Sequence, residues 1–390
     1  MPSLNDTPRA NRIHVAFFGL RNAGKSTLVN AFTGQEIAIV SDVAGTTTDP
    51  VSKAMEILPL GPCLVTDTAG LDDVGALGAQ RVRKSLDVLE TTDVAVWVWG
   101  AAIDEASPWY REFRATCERR RVAVLVHRRG DSVAELKRRV AAIPLADDTP
   151  GLLDGVVRTG DRVVCVCPID ESAPKGRLIL PQVQVIRDCL DRHAACTVCQ
   201  PDELSACLTG APSAAAGRTL VITDSQAFAA VRQTLQTFQT TQTSQTSQTS
   251  LVLTSFSILF ARQKGDLDVY QEGLAAIEKL ADGATVLVSE GCTHHRQCND
   301  IGTTKIPKAL AKLTGKSLDF VFSSGGSFPL ERADGRRVSL VVHCGGCMLT
   351  RREVLRRIDV CRAAGVPIVN YGLLLAVANG LRVAELVPSC

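Results

Sequence analysis

A chain of 390 residues, 45% hydrophobic and 22% charged, has room for two or three domains with proper cores. Its formal net charge of +2 gives no electrostatic reason to expect nucleic acid or an anionic membrane as the main partner. No apolar run approaches the ~20 residues that span a bilayer, and the polar residues 1–12 lack the apolar stretch of a signal peptide. A cytoplasmic location follows as the expectation, and the fourteen cysteines then read as metal ligands or buried thiols rather than disulfides.

From residue 13 to about 169, short β-branched runs at 13–18, 63–66, 94–99, 122–126 and 163–167 read as strands, with helical patterns such as 25–32 and 78–89 between them. That alternation predicts an α/β domain with a doubly wound, mostly parallel sheet over residues 1–172. Its first strand runs into Gly19-Leu-Arg-Asn-Ala-Gly24-Lys25-Ser26, the P-loop pattern in its strand–loop–helix setting. The backbone from Gly19 through Asn22, Ala23 and Gly24 to Thr27 would wrap phosphates. Lys25 would neutralise the β/γ oxygens and the Ser26 hydroxyl would ligate Mg²⁺. Asp67-Thr-Ala-Gly70 follows the second predicted strand and offers a metal-site carboxylate and a γ-phosphate-sensing glycine, so Lys25, Asp67 and Gly70 are the catalytic candidates. Between the motifs lies a switch candidate, Gly45-Thr46-Thr47-Thr48-Asp49, in which Thr47, or Thr46 beside it, could reach Mg²⁺. Past the strand at 122–126 a guanine site needs Asn-Lys-x-Asp, but the chain reads His127-Arg-Arg-Gly-Asp131. Asp131 can still accept from the base, whereas the missing Asn-Lys pair weakens the case for guanine selection.

A second unit is expected over residues 173–264, with helices at 182–195 and 225–238 and strands at 219–223 and 251–253. The Thr/Gln/Ser tract at 239–250 cannot bury apolar surface and reads as a disordered insertion. Cys196-Thr-Val-Cys199 has C-x-x-C spacing but no further ligand nearby, so a metal or redox role is the lesser reading; Cys165 and Cys167 share a strand face and read as core packing. The third unit, 265–390, alternates again: helices at 274–280, 351–364 and 373–378, strands at 285–289, 318–322, 340–342 and 367–369. Cys292-Thr-His294 and His343-Cys344-Gly-Gly-Cys347 fall just past strand ends, where parallel sheets place ligands. Thiolates select iron–sulfur clusters, Zn²⁺ or Cu(I). Three cysteines with imidazoles beside them suit a structural Cys₃His zinc or a cubane cluster with one labile or histidine-held iron, and on spacing alone the two are near even.

The order of P-loop, switch segment and DTAG run resembles the translation-factor-like GTPases of the Era and TrmE branch. Asn22 stands where that branch places an asparagine that coordinates K⁺, and Leu71 stands where Ras-like enzymes carry a water-orienting glutamine. The resemblance implies slow GTP hydrolysis accelerated by K⁺. Gly70-Leu-Asp-Asp-Val-Gly75-Ala-Leu-Gly78, Cys292-Thr-His-His295, Ser324-Gly-Gly-Ser-Phe-Pro329, His343-Cys-Gly-Gly-Cys-Met348 and Pro367-Ile-Val-Asn-Tyr-Gly372 together resemble the HydF family of FeFe-hydrogenase maturation GTPases, across the whole chain apart from the insertion. That likeness implies a P-loop GTPase domain, a central dimerisation domain at 173–264 and a C-terminal iron–sulfur domain at 265–390, the last two also α/β. It implies a 4Fe-4S cluster on Cys292, Cys344 and Cys347 with a fourth position open or weakly filled. His294 and His343 are candidates for that position, with His295 and Cys298 weaker ones. It further implies a di-iron precursor as cargo, apo-hydrogenase and radical-SAM maturases as partners, a homodimer, and neither nucleic acid nor membrane. The rival expectation is a K⁺-dependent GTPase of tRNA modification or ribosome assembly with a structural zinc.

Overall fold

The computed structural model describes residues 7–34, 50–144, 150–169, 176, 178–209, 218–241, 250–292, 300–332 and 334–386. The chain divides into two units, Met1–Asp148 and Thr149–Cys390. In the first, β1 (Ile13–Gly19), β2 (Val51–Ile57), β3 (Gly61–Asp67), β4 (Val94–Val98) and β5 (Ala123–His127) form one sheet in the order β2-β3-β1-β4-β5. All neighbours run parallel except β2 and β3. Helices α1 (Lys25–Thr33), α2 (Gly75–Leu89), α3 (Pro108–Arg119) and α4 (Val133–Ala141) complete it. Strand side chains alternate between faces. Val15 and Phe17 therefore share a core with Phe32 of α1 and Leu136 of α4, whereas Ala16 and Phe18 share another with Leu89 of α2 and Phe113 of α3. The expected doubly wound sheet is present.

The second unit holds two parallel four-stranded sheets. The first joins β6 (Arg162–Val166), β7 (Ala195–Cys199), β8 (Thr219–Thr223) and β9 (Leu251–Ser255) in the order β7-β6-β8-β9, with α5 (Leu180–Asp191), α6 (Leu204–Thr209) and α7 (Phe228–Thr241). This corrects one boundary. The strand at 163–167, expected to end a GTPase domain reaching residue 172, pairs with β7 and β8 instead, and the division falls at 148/149. Its Val163, Val164, Cys165 and Val166 are wholly buried, a pattern that suits the centre of any parallel sheet and carries no record of which one. A second correction concerns residues 239–241 of the expected disordered tract, which continue α7; residues 242–249 lie outside the described ones.

From β9 the chain enters α8 (Phe256–Lys264) and α9 (Leu267–Ala275), then a second sheet of β10 (Thr285–Glu290), β11 (Asp319–Ser324), β12 (Leu340–His343) and β13 (Ile368–Asn370), ordered β11-β10-β12-β13. Helices α10 (Ile306–Thr314), α11 (Arg351–Ala364), α12 (Tyr371–Ala378) and α13 (Val383–Leu386) accompany it. Leu287 and Val341 share a core with Val354, Ile358 and Cys361 of α11. Val286, Val288, Leu340 and Val342 face the other way, with Leu310 of α10 and Leu374 of α12. Among the described residues no helix is long and apolar enough to cross a membrane.

Candidate functional site

The loop between β1 and α1 reverses the chain through residues that tolerate left-handed backbone. Asn22 has φ 57° and Gly24 φ 88°, so α1 begins at Lys25 with its free N–H groups at the loop. Lys25 is 7% exposed and its Nζ donates to the Leu20 carbonyl at 2.8 Å. Burial pulls its pKa down, opposed by the charges of Asp67, Asp72 and Asp73. The Ser26 hydroxyl donates to Asp67 Oδ2 at 2.6 Å. Asp67 is fully buried and its other oxygen has no hydrogen-bond partner, which burial answers by raising the carboxyl pKa against the opposing pull of Ser26 and Lys25. An orphaned buried carboxylate oxygen beside a hydroxyl fits a hydrated Mg²⁺.

The DTAG segment is pinned to the P-loop. Arg21 N–H donates to Asp72 Oδ1 at 2.6 Å, and a Cβ on Gly70 would lie 2.7 Å from the Arg21 nitrogen, so no side chain fits there. Leu71 donates its N–H to the Gly19 carbonyl at 3.2 Å and is 4% exposed in the core. It cannot orient water as a glutamine would. The switch candidates Thr46 and Thr47 lie outside the described residues. Asp131 closes a tight turn after β5, accepting from the Arg128 N–H at 2.7 Å while its own N–H bonds the Arg128 carbonyl at 3.0 Å.

At the other end of the chain, β10 and β12 are adjacent and parallel, with Ser289 opposite His343. Their C-terminal ends therefore bring Cys292 near Cys344 and Cys347, although some fifty residues separate them in sequence. The Gly291 N–H donates to Cys344 Sγ at 3.1 Å and the Gly346 N–H to the same sulfur at 3.4 Å. Burial raises all three thiols, Cys292 to about 12 and Cys347 to about 11, and Cys344 adds its charge to both. Desolvated thiols that mutually oppose ionisation, with N–H groups aimed at one sulfur, suit a cationic iron–sulfur centre that takes them as thiolates. Among the described residues no group of three or more His, Cys, Asp or Glu side chains is arranged to hold a metal ion. His294, His295 and Cys298 lie outside the described residues.

His343 requires a correction. It is the last residue of β12 and faces α11, whereas Cys344, just past the strand end, packs on the other core with Leu340 and Val342. On the α11 side Arg357 Nη1 donates to its Nε2 at 3.2 Å, and since arginine only donates, Nδ1 carries the proton and donates to the Cys344 carbonyl at 2.7 Å. With burial and the Arg357 charge pushing its pKa down to about 4, the imidazole is neutral and both nitrogens are engaged. It shapes the loop and has no lone pair left for a fourth ligand. Sequence reasoning missed Arg357 itself, fully buried on α11, which also donates to Glu353 Oε1 at 2.9 Å, Ser289 Oγ at 3.2 Å and the Gly325 carbonyl.

Family models match three successive stretches: "50S ribosome-binding GTPase" over residues 14–128, "Hydrogen maturase F dimerization domain" over 152–265 and "Hydrogen maturase F tetramerization domain" over 268–386. The chain belongs to the HydF family. Its N-terminal domain is a GTPase domain of the type also found in the tRNA modification GTPase MnmE. MnmE of Maricaulis maris is 41% identical over 109 residues, covering 26% of this chain and 24% of that protein. MnmE of Xanthomonas oryzae is 43% identical over 96 residues, covering 24% and 21%. The chain thus spans about a quarter of the length of these curated relatives. Era of Aquifex aeolicus, solved with GDP and aluminium fluoride, is similar at 21% identity and a TM-score of 0.25, over 53% of this chain and 58% of that one.

The HydF dimerization domain also carries a group of thiols that spacing does not reveal. Cys196 and Cys199, three apart on β7, face opposite sides of the sheet and join different cores, so they form no C-x-x-C pair. Cys196 instead meets Cys165 of β6, Sγ to Sγ 3.8 Å, and is hydrogen-bonded to Cys189 of α5. Hydrogen bonds to Cys165 and Cys189 hold the half-buried Cys196 thiol well below its ordinary value, while the same hydrogen bonds, and then burial, push Cys165 and Cys189 up. In iodoacetamide time courses followed by peptide mass mapping, Cys196 is expected to react first among the thiols of this sheet. Equal or faster labelling of Cys165 would contradict the arrangement.

Proposed function

We propose that this chain is a GTP-hydrolysing carrier in FeFe-hydrogenase maturation. Its C-terminal sheet holds a 4Fe-4S cluster on Cys292, Cys344 and Cys347, takes up a di-iron precursor and delivers it to apo-hydrogenase in the cytoplasm. The observation that carries the reading is the meeting of Cys292 with Cys344 and Cys347 at the ends of neighbouring strands, within domains matched as HydF. A bound cluster would supply an iron position at which cargo can bind and later leave. This chain's own part is to present three thiolates, direct the Gly291 and Gly346 N–H groups at Cys344, and keep the His343 imidazole turned away.

At the nucleotide, Lys25 would neutralise phosphate oxygens, and Ser26 and Asp67, with Thr47, would hold Mg²⁺. With Leu71 in the core, water positioning is left to other groups, consistent with slow turnover and with K⁺ held near Asn22 as the accelerator. Nucleotide state would set affinity for radical-SAM maturases, and binding of a maturase must then change nucleotide affinity by the same factor. Homodimerisation would use β7, an edge strand whose Val198 is 45% exposed.

The test is anaerobic reconstitution with iron and sulfide. A broad visible absorbance retained by the wild type and lost in Cys344→Ser supports the reading. Stoichiometric zinc without that absorbance supports a GTPase of tRNA modification with a structural metal, which the likeness to MnmE favours within residues 14–128 alone.

A further inference from the structure

We propose that Lys264, the last residue of α8 in the dimerization domain, positions the loop 344–349 and serves as its buried counter-charge; the proposal rests on the reading that this loop holds an iron–sulfur cluster. Helix α8 buries Phe256, Ile258, Leu259, Phe260 and Ala261, and Lys264 is buried with them at 4% exposure. Its ammonium has three protons, and three carbonyls of the loop take them: Gly346 at 3.1 Å, Cys347 at 3.2 Å and Leu349 at 2.6 Å. The Nζ also lies 5.2 Å from the centre of the Phe260 ring.

Among the described residues no carboxylate pairs with this cation; burial pulls its pKa down to about 8, opposed by Cys347 and Cys344 in their thiolate form. A buried ammonium without a carboxylate is costly unless another anion answers it. Here the anions available are the thiolates of the proposed ligands. Gly346 links the two ends, giving its carbonyl to Lys264 and its N–H to Cys344 Sγ. The same helix meets the loop again at its start. A Cβ on Gly345 would lie 3.1 Å from Ser257 Oγ, and Cys347 packs on the core that Phe256 and Phe260 share. The loop is thus laid along α8 from Ser257 to Lys264.

A fixed positive charge beside a cluster favours its more negative, reduced form. In full-length protein, Lys264→Met is expected to speed hydrogen exchange at residues 344–349 about tenfold in the metal-free state. In reconstituted protein it should lower the reduced-to-oxidised ratio about tenfold at fixed potential, a midpoint about 59 mV more negative for a one-electron couple. Lys264→Arg should keep the wild-type midpoint. Lys264→Gln, which retains donors without charge, should shift the midpoint while protecting the loop better than methionine, and it replaces the methionine variant if that fails to fold. Unchanged exchange in the neutral variants overturns the positioning role; an unchanged midpoint overturns the counter-charge. A wild type that binds no cluster sinks the functional reading and leaves the exchange data to judge Lys264 by themselves.

Discussion

Replacing Lys25 with alanine is expected to lower kcat/KM for GTP by on the order of 10²–10³, the scale of losing one buried electrostatic contact to a reacting phosphate. Lys25 is the buried cation facing Asp67, Asp72 and Asp73, and its Nζ donates to the Leu20 carbonyl. Without it, Asp67 keeps a hydrogen bond from Ser26 but loses its nearest positive charge. Triphosphate would then enter a pocket with net carboxylate character. Nucleotide affinity should fall together with turnover, so fluorescent-nucleotide titration and phosphate release need to be read side by side. A variant that hydrolyses GTP within about threefold of wild type would place the chemistry elsewhere.

Arg357→Leu is expected to destabilise the second unit by about 3–5 kcal/mol, the scale of removing one partner from a buried ion pair. Arg357 is 0% exposed and ties α11 to Ser289 on β10, to His343 on β12 and to the turn carrying Gly325. Its loss leaves Glu353, a buried carboxylate, with Arg356 alone. Urea denaturation, read from the second unit, measures the effect; a loss under about 1 kcal/mol would contradict the hub. A pH dependence accompanies it. Burial by itself would raise the Glu353 carboxyl, but hydrogen bonds from Arg356 and Arg357 overcome this and leave it below the ordinary range. A depressed carboxyl stabilises the fold above its unfolded pKa, and that contribution is lost as pH falls through the folded one. The wild type should therefore lose stability on acidification toward that value, and the variant should lose less.

Much of the local geometry of the candidate nucleotide site was legible because it is local in sequence: a strand, a glycine turn and a helix start within 20 residues hold Lys25 and Ser26 in place. Sheet membership was not. The run at 163–167 is a strand as expected, but a wholly buried strand bears no mark of its neighbours. Strand β2 escaped notice because Ser52, Lys53 and Glu56 make it a polar edge. At the thiol site, adjacency in sequence misled for a simple reason. His343 and Cys344 are neighbours in the chain yet pack on opposite sides, as do Cys196 and Cys199 at a spacing of three. The groups that organise the cysteines, Arg357 and Lys264, look like ordinary helix cations, since spacing says nothing of which cation is buried.

The loop lying along α8 has a practical consequence for taking the molecule apart. The two HydF matches part between residues 265 and 268, just beyond the lysine that holds the loop. A fragment beginning at 268 would carry all three cysteines and neither Ser257 nor Lys264. Its thiols would be chemically complete but mechanically unsupported. Cluster loading measured on such a fragment would report a looser ligand set than the intact chain possesses. The smallest piece that preserves the site begins no later than Ser255, whose hydroxyl caps the start of α8.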